Sequence, residues 1–162
     1  LIVAILVLVV LSSCVKEEHY PIEPVLKFAG FGVIKDVNDK DSVGVLTVSY
    51  TDGDGDIGLY DYDTIEPYRY NYYLRFFQMH NGEAVEIMPV DTSVSFNGRI
   101  PLLTPTGRNK NISGEISMFM DLFYARPLFL NDTIDIKFEV YIKDRAMHTS
   151  NVIETPLFTI RK

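Results

Sequence analysis

The sequence predicts an all-β chain: an antiparallel β-sandwich of about seven or eight strands behind an apolar leader. Three observations carry this. Thr133 to Ile142 alternates strictly, with Ile134, Ile136, Phe138, Val140 and Ile142 on one face and Thr133, Asp135, Lys137, Glu139 and Tyr141 on the other. His80-Asn81-Gly82-Glu83 is an Asn-Gly turn of the kind that closes a tight hairpin. Short β-rich runs recur elsewhere between turn residues, and no stretch reads as a convincing helix. A closed barrel is the main rival.

The elements follow in order. Leu1 to Leu11 are all apolar and run into Ser12, Ser13 and Cys14. Such a run is too short to span a bilayer, which needs roughly 20 residues. It fits the core of a secretory signal, so residues 1–13 are expected to be a signal peptide truncated at its start. Residues 14–24, with their charges, Pro21 and Pro24, read as a tether, and 25–162 as one β-domain.

Val25 to Ile34 is β-rich. Val43 to Tyr50 places Leu46, Val48 and Tyr50 on one face. Tyr70 to Met79 is an aromatic strand, and Ala84 to Met88 returns from the Asn-Gly turn. Ile100 to Leu103 reads as a short strand. Glu115 to Tyr124 has two readings: Ile116, Met118, Met120 and Leu122 alternate as in a strand, while Ile116, Phe119, Met120 and Phe123 would line a helix face. The strand is favoured. Val152 to Ile160 is the last strand, with Pro156 marking an edge or bulge.

The net charge of −7 argues against nucleic acid or an anionic membrane surface as a partner. Cys14 is the only cysteine, which excludes an intramolecular disulfide and a cysteine zinc site. An exported domain of this kind must be held by its core, or by core plus metal.

The acidic run Tyr50-Thr-Asp-Gly-Asp-Gly-Asp-Ile-Gly is the first candidate site. Calcium takes six to eight hard oxygen ligands, and closely spaced carboxylates on a turn can wrap it. Asp52, Asp54 and Asp56 occupy the first, third and fifth places of an EF-hand loop, and Asp63 the twelfth. Ile57, however, stands where that loop needs Gly. Any calcium site must therefore be completed from elsewhere, and Asp144 and Asn151 are the candidates if the two loops meet. The alternatives are a glycine-rich turn for the acidic run, and for Asp144 a pairing with Arg145 or backbone amides.

Tyr68, Tyr70 and Tyr72 form a second candidate, a ligand-binding face for a glycan or protein, because Tyr offers an apolar ring and a polar tip. The alternative is that these rings cover the sheet. His19, His80 and His148 lack metal spacing and are expected to be solvated. No nucleophile elbow, phosphate loop or dinucleotide fingerprint occurs. A hydrolase would require two acids that converge in space, and no pair stands out.

Two resemblances add to this. Leu11-Ser12-Ser13-Cys14 resembles the bacterial lipobox, which implies that Cys14 is lipidated and becomes the mature N-terminus. With the tether, the Asp-Gly-Asp-Gly-Asp-Ile-Gly loop and the closing Asp144-Arg-Ala-Met-His-Thr-Ser-Asn151, the chain resembles small Bacteroidetes-type surface lipoproteins of unknown function. The closing segment is also similar to the last hairpin of bacterial Ig-like domains, though Met147 and His148 replace the usual Gly-Asn. Lys16-Glu17-Glu18 after Cys14 resembles the signal that sends lipoproteins to the cell surface. The resemblance implies an Ig-like sandwich, an outer-membrane anchor exposed at the cell surface, envelope protein or glycan partners, and no enzyme activity. The expectation is a non-enzymatic binding or structural module with a calcium-ordered loop. A carbohydrate-binding accessory lipoprotein and a hydrolase are the alternatives.

Overall fold

The computed structural model describes residues 19–89, 94–103, 111–122 and 132–161. The expected signal peptide, Cys14 and the first residues of the tether lie outside them.

Eight strands form: β1 (Val25–Lys35), β2 (Asp41–Asp52), β3 (Tyr72–His80), β4 (Glu83–Ile87), β5 (Ile112–Asp121), β6 (Thr133–Ile142), β7 (Ile153–Glu154) and β8 (Phe158–Arg161). They make two antiparallel sheets, β1-β2-β5 and β4-β3-β6-β7, with β8 also paired to β6. No α-helix occurs among the described residues. The order in which the strands pair is that of strands A-B-E and C′-C-F-G in immunoglobulin-type sandwiches.

The alternation read from the sequence sets the faces. Leu46 and Val48 of β2, Met118 and Met120 of β5, and Ile136, Phe138 and Val140 of β6 are buried. Each such side chain contributes about 1.5–3 kcal/mol when fully removed from water. Phe138 ties the layers together: its ring lies 5.4 Å from that of Phe31 on the facing sheet and 5.3 Å from that of Phe76 beside it. The hairpin is as expected, with Asn81 (φ 50°) and Gly82 (φ 84°) in the left-handed region that a two-residue turn requires.

Three local expectations change. Residues 112–121 are a strand throughout, paired with β2 from Val43↔Asp121 to Asp52↔Ile112, so the helix reading is set aside. Ile100 to Leu103 is not a strand. Only an isolated bridge forms there, Pro101 to Leu59, with the Leu59 N–H donating to Ile100 O at 2.9 Å. Pro101 has no N–H to extend it, and the Asn71 side chain accepts the Ile100 N–H at 2.6 Å and also donates to Ile100 O at 3.2 Å. Pro156 splits the last strand into β7 and β8. There Thr155 Oγ1 accepts the Phe138 N–H at 3.0 Å, keeping that buried donor satisfied.

The end of the tether is docked. Tyr20 donates its N–H to Asn111 Oδ1 at 3.2 Å, and Pro21 O accepts the Gly53 N–H at 2.7 Å.

Candidate metal centre

β2 and β6 each send an inward row into the core, and each row ends in an acid. Leu46, Val48 and Tyr50 are followed on the same face of β2 by Asp52. Phe138, Val140 and Ile142 are followed in the same alternation, just past β6, by Asp144. Asp52 is 0% exposed and Asp144 1%. Carboxylates so deeply buried require partners.

The loop after β2 curls back over Asp52. Asp52 Oδ2 accepts the N–H groups of Asp56 at 2.8 Å and Ile57 at 3.3 Å. Gly55 (φ 67°) and Gly58 (φ 103°) permit the bends. This brings Asp54 and Asp56 beside Asp52. Asp56 then reaches the loop after β6: its Oδ2 accepts from Ala146 N at 3.1 Å and its carbonyl from Arg145 N at 3.3 Å. Asp144 is oriented by His148, whose backbone N–H donates to Oδ1 at 2.8 Å and whose Nδ1 lies 2.8 Å from Oδ2.

The result is a cluster. Asp52, Asp54, Asp56 and Asp144 each present a carboxylate oxygen, and these oxygens all lie within 4.8 Å of one another. Oδ1 of Asp52, of Asp54 and of Asp56 is buried and has no hydrogen-bond partner. An orphaned buried carboxylate oxygen costs about 1–3 kcal/mol or more. The electrostatics reflect this. Burial, with the Asp54 and Asp56 carboxylates adding, pushes Asp52 up to about 6 despite its two amide partners. Burial, then the charges of Asp144 and Asp54, raises Asp56. The hydrogen bond to Asp144 raises His148. A four-carboxylate, hard-oxygen set with three free oxygens is suited to a divalent cation.

The structure thus joins four of the six residues proposed as metal ligands. Asn151 is used elsewhere: its side-chain amide pairs with β1, accepting from Leu26 N at 2.8 Å and donating to Leu26 O at 3.0 Å. Asp63 closes a local turn by accepting the Tyr60 N–H at 3.0 Å. Asp144 takes a backbone amide, as one of the alternatives expected, but pairs with the His148 side chain and not with Arg145. His148 is therefore not simply solvated, whereas His19 and His80 are exposed.

Tyr68, Tyr70 and Tyr72 do not line up in solvent. Each is half-buried. Tyr72 packs against the core, and Tyr68 donates its hydroxyl to Arg145 O at 3.4 Å. Arg99 is a residue that the sequence reading missed. Its guanidinium donates to the carbonyls of Tyr60, Asp63, Tyr68 and Arg69, and so holds the whole β2–β3 loop. A lone Arg between an Asn-Gly pair and Ile100 gave no signal of this.

Fold and site together define the molecule as an immunoglobulin-ordered β-sandwich with a buried acidic cluster at one end. The chain matches no known protein family, no curated protein and no solved structure.

Proposed function

We propose that this chain is an exported, lipid-anchored, non-enzymatic surface module whose loop end is ordered by calcium. Asp52, Asp54, Asp56 and Asp144 would hold the ion, and backbone carbonyls or water would complete its six to eight oxygens. The observation that carries this is the convergence of three unpartnered buried carboxylate oxygens with Asp144. Calcium bound there would join the end of β2 in one sheet, with the loop that follows it, to the β6–β7 loop of the other. It would offset four mutually repelling charges, and it would supply a cross-link between loops that a chain with one cysteine cannot make as an internal disulfide. The lipid anchor is supported by Leu11-Ser12-Ser13-Cys14 directly after the apolar run.

Thermal melts of the metal-stripped protein with and without calcium test the site. Calcium at a hundredfold over its Kd adds about 2.7 kcal/mol, which for a domain of this size raises Tm by roughly 5–10 °C. An unchanged Tm in millimolar calcium would remove the metal from the account.

A further inference from the structure

The path of the chain into the sandwich determines which end faces the anchor. Tyr20 is held at Asn111, just before β5, and Pro21 at Gly53, just after β2. The fit is close: a Cβ on Gly53 would lie 2.2 Å from Tyr20 O. The chain therefore enters at the end that carries the four aspartates. Six residue steps separate Cys14 from Tyr20, and they can span at most roughly 20 Å. The tip of the β1–β2 turn lies the length of β2 away, roughly 36 Å.

At the near end, the β2–β3 loop displays an apolar and aromatic surface. Tyr62 is 75% exposed and Ile65 76%. The Tyr62 ring lies parallel to that of Tyr60 with centroids 5.1 Å apart. The loop is firmly held. Arg99 grips its carbonyls, and the Arg145 guanidinium sits 5.3 Å from the Tyr60 ring while donating to Gly58 O at 2.9 Å. A preorganised loop presents its contacts at little entropic cost. Tyr side chains settle at the headgroup level of bilayers, where the ring is partly dry and the hydroxyl wet. Asp61 and Glu66, both exposed in the loop, repel purely anionic headgroups and attract the ammonium groups of zwitterionic ones.

We propose that this loop is a membrane contact: the short tether holds the aspartate end of the sandwich against the bilayer, and Tyr62 and Ile65 seat among the headgroups of zwitterionic phospholipids. The inference rests on the anchor reading above.

The test compares the two ends of the acylated chain on vesicles of phosphatidylcholine and phosphatidylethanolamine, with calcium present. Acylation consumes the only native thiol, so an introduced cysteine alone takes a nitroxide label. One label is placed by Thr64→Cys in the loop, the other by Val37→Cys at the fully exposed β1–β2 turn. The loop label is expected to lose at least half of its collisions with a water-soluble nickel chelate relative to the turn label. Tyr62→Ala with Ile65→Ser should restore them. Equal collisions at both positions overturn the proposal and leave the loop to a soluble glycan or protein. Shielding that survives the double variant, or that needs phosphatidylglycerol, overturns it as well. Mass spectrometry of the Cys14 peptide reads the anchor separately: a chain without acyl groups there loses both the anchor and this contact, whatever its response to calcium.

Discussion

Asp52, at the end of β2, and Asp144, just past β6, bring carboxylate oxygens within 4.8 Å of each other from opposite sheets of the sandwich. Each continues a row of core residues by one step. The pair joins the two layers only when the repulsion between its members is neutralised, and that condition yields opposite expectations with and without a cation.

Asp52→Asn separates these two states. The amide oxygen can still accept from Asp56 N and Ile57 N, and its NH₂ can donate into the cluster in place of the orphaned oxygen. Without metal the variant should melt above the parent, by about 1–3 kcal/mol of stability. Its gain from calcium should fall to near zero. Differential scanning calorimetry with calcium and with chelator reads both signs.

The pH dependence of the metal-free protein follows from the same cluster. The folded Asp52 pKa of about 6 lies above its unfolded value, so its contribution is fully present below about pH 4. It is lost as pH rises through about 6. Asp56 and His148 are also raised and act in the same direction. The lowered Asp39 and Glu86 carboxyls act oppositely, but these are solvent-screened surface pairs. The metal-stripped protein should therefore be more stable near pH 5 than near pH 8, Asp52 alone contributing on the order of 1 kcal/mol after allowance for solvent screening. Calcium should reverse the preference, because its ligands must be ionised. Melts at the two pH values, with and without calcium, check this.

Asn151 and Asp144 should divide cleanly. Asn151→Ala strips Leu26 of two partners and should cost about 1–3 kcal/mol in denaturant unfolding. Its calcium affinity by titration calorimetry should match the parent. Asp144→Asn should weaken calcium at least tenfold. Equal loss of affinity in both variants would return Asn151 to the site.

The β2–β3 loop depends on Arg99 and Gly58. Arg99→Lys replaces a planar fork that reaches several carbonyls with one ammonium. Stability should drop by about 1–3 kcal/mol, with faster amide exchange across residues 59–71. Gly58→Ala should cost about 2–4 kcal/mol, because its φ is 103° and a Cβ would lie 2.3 Å from Pro101 O.

Much of the fold was legible because it rests on local chemistry. Period-two alternation gave β2 and β6, aromatic richness gave β3, and Asn81-Gly82 gave the hairpin, since a left-handed turn strongly selects those residues. The acidic loop and Asp144 were legible as candidates. The signal for their meeting was present too: extending the inward rows of β2 and β6 by one step arrives at Asp52 and Asp144.

What the sequence determined by itself, then, is the all-β class, the faces of the main strands and the excess of carboxylate at one loop. These follow from spacing along the chain. What only the tertiary structure decided is which polar groups meet. Asn151 is drawn to Leu26, Asp63 to its own turn, and Asn71 to Ile100, while Arg99 gathers carbonyls from a distant loop. A hydrogen bond is short and directional, so its partner is set by the backbone that folding delivers within about 3 Å. Burial along a strand is a property of periodicity. The pairing of Asp52 with Asp144 is a property of two sheets closing on one core.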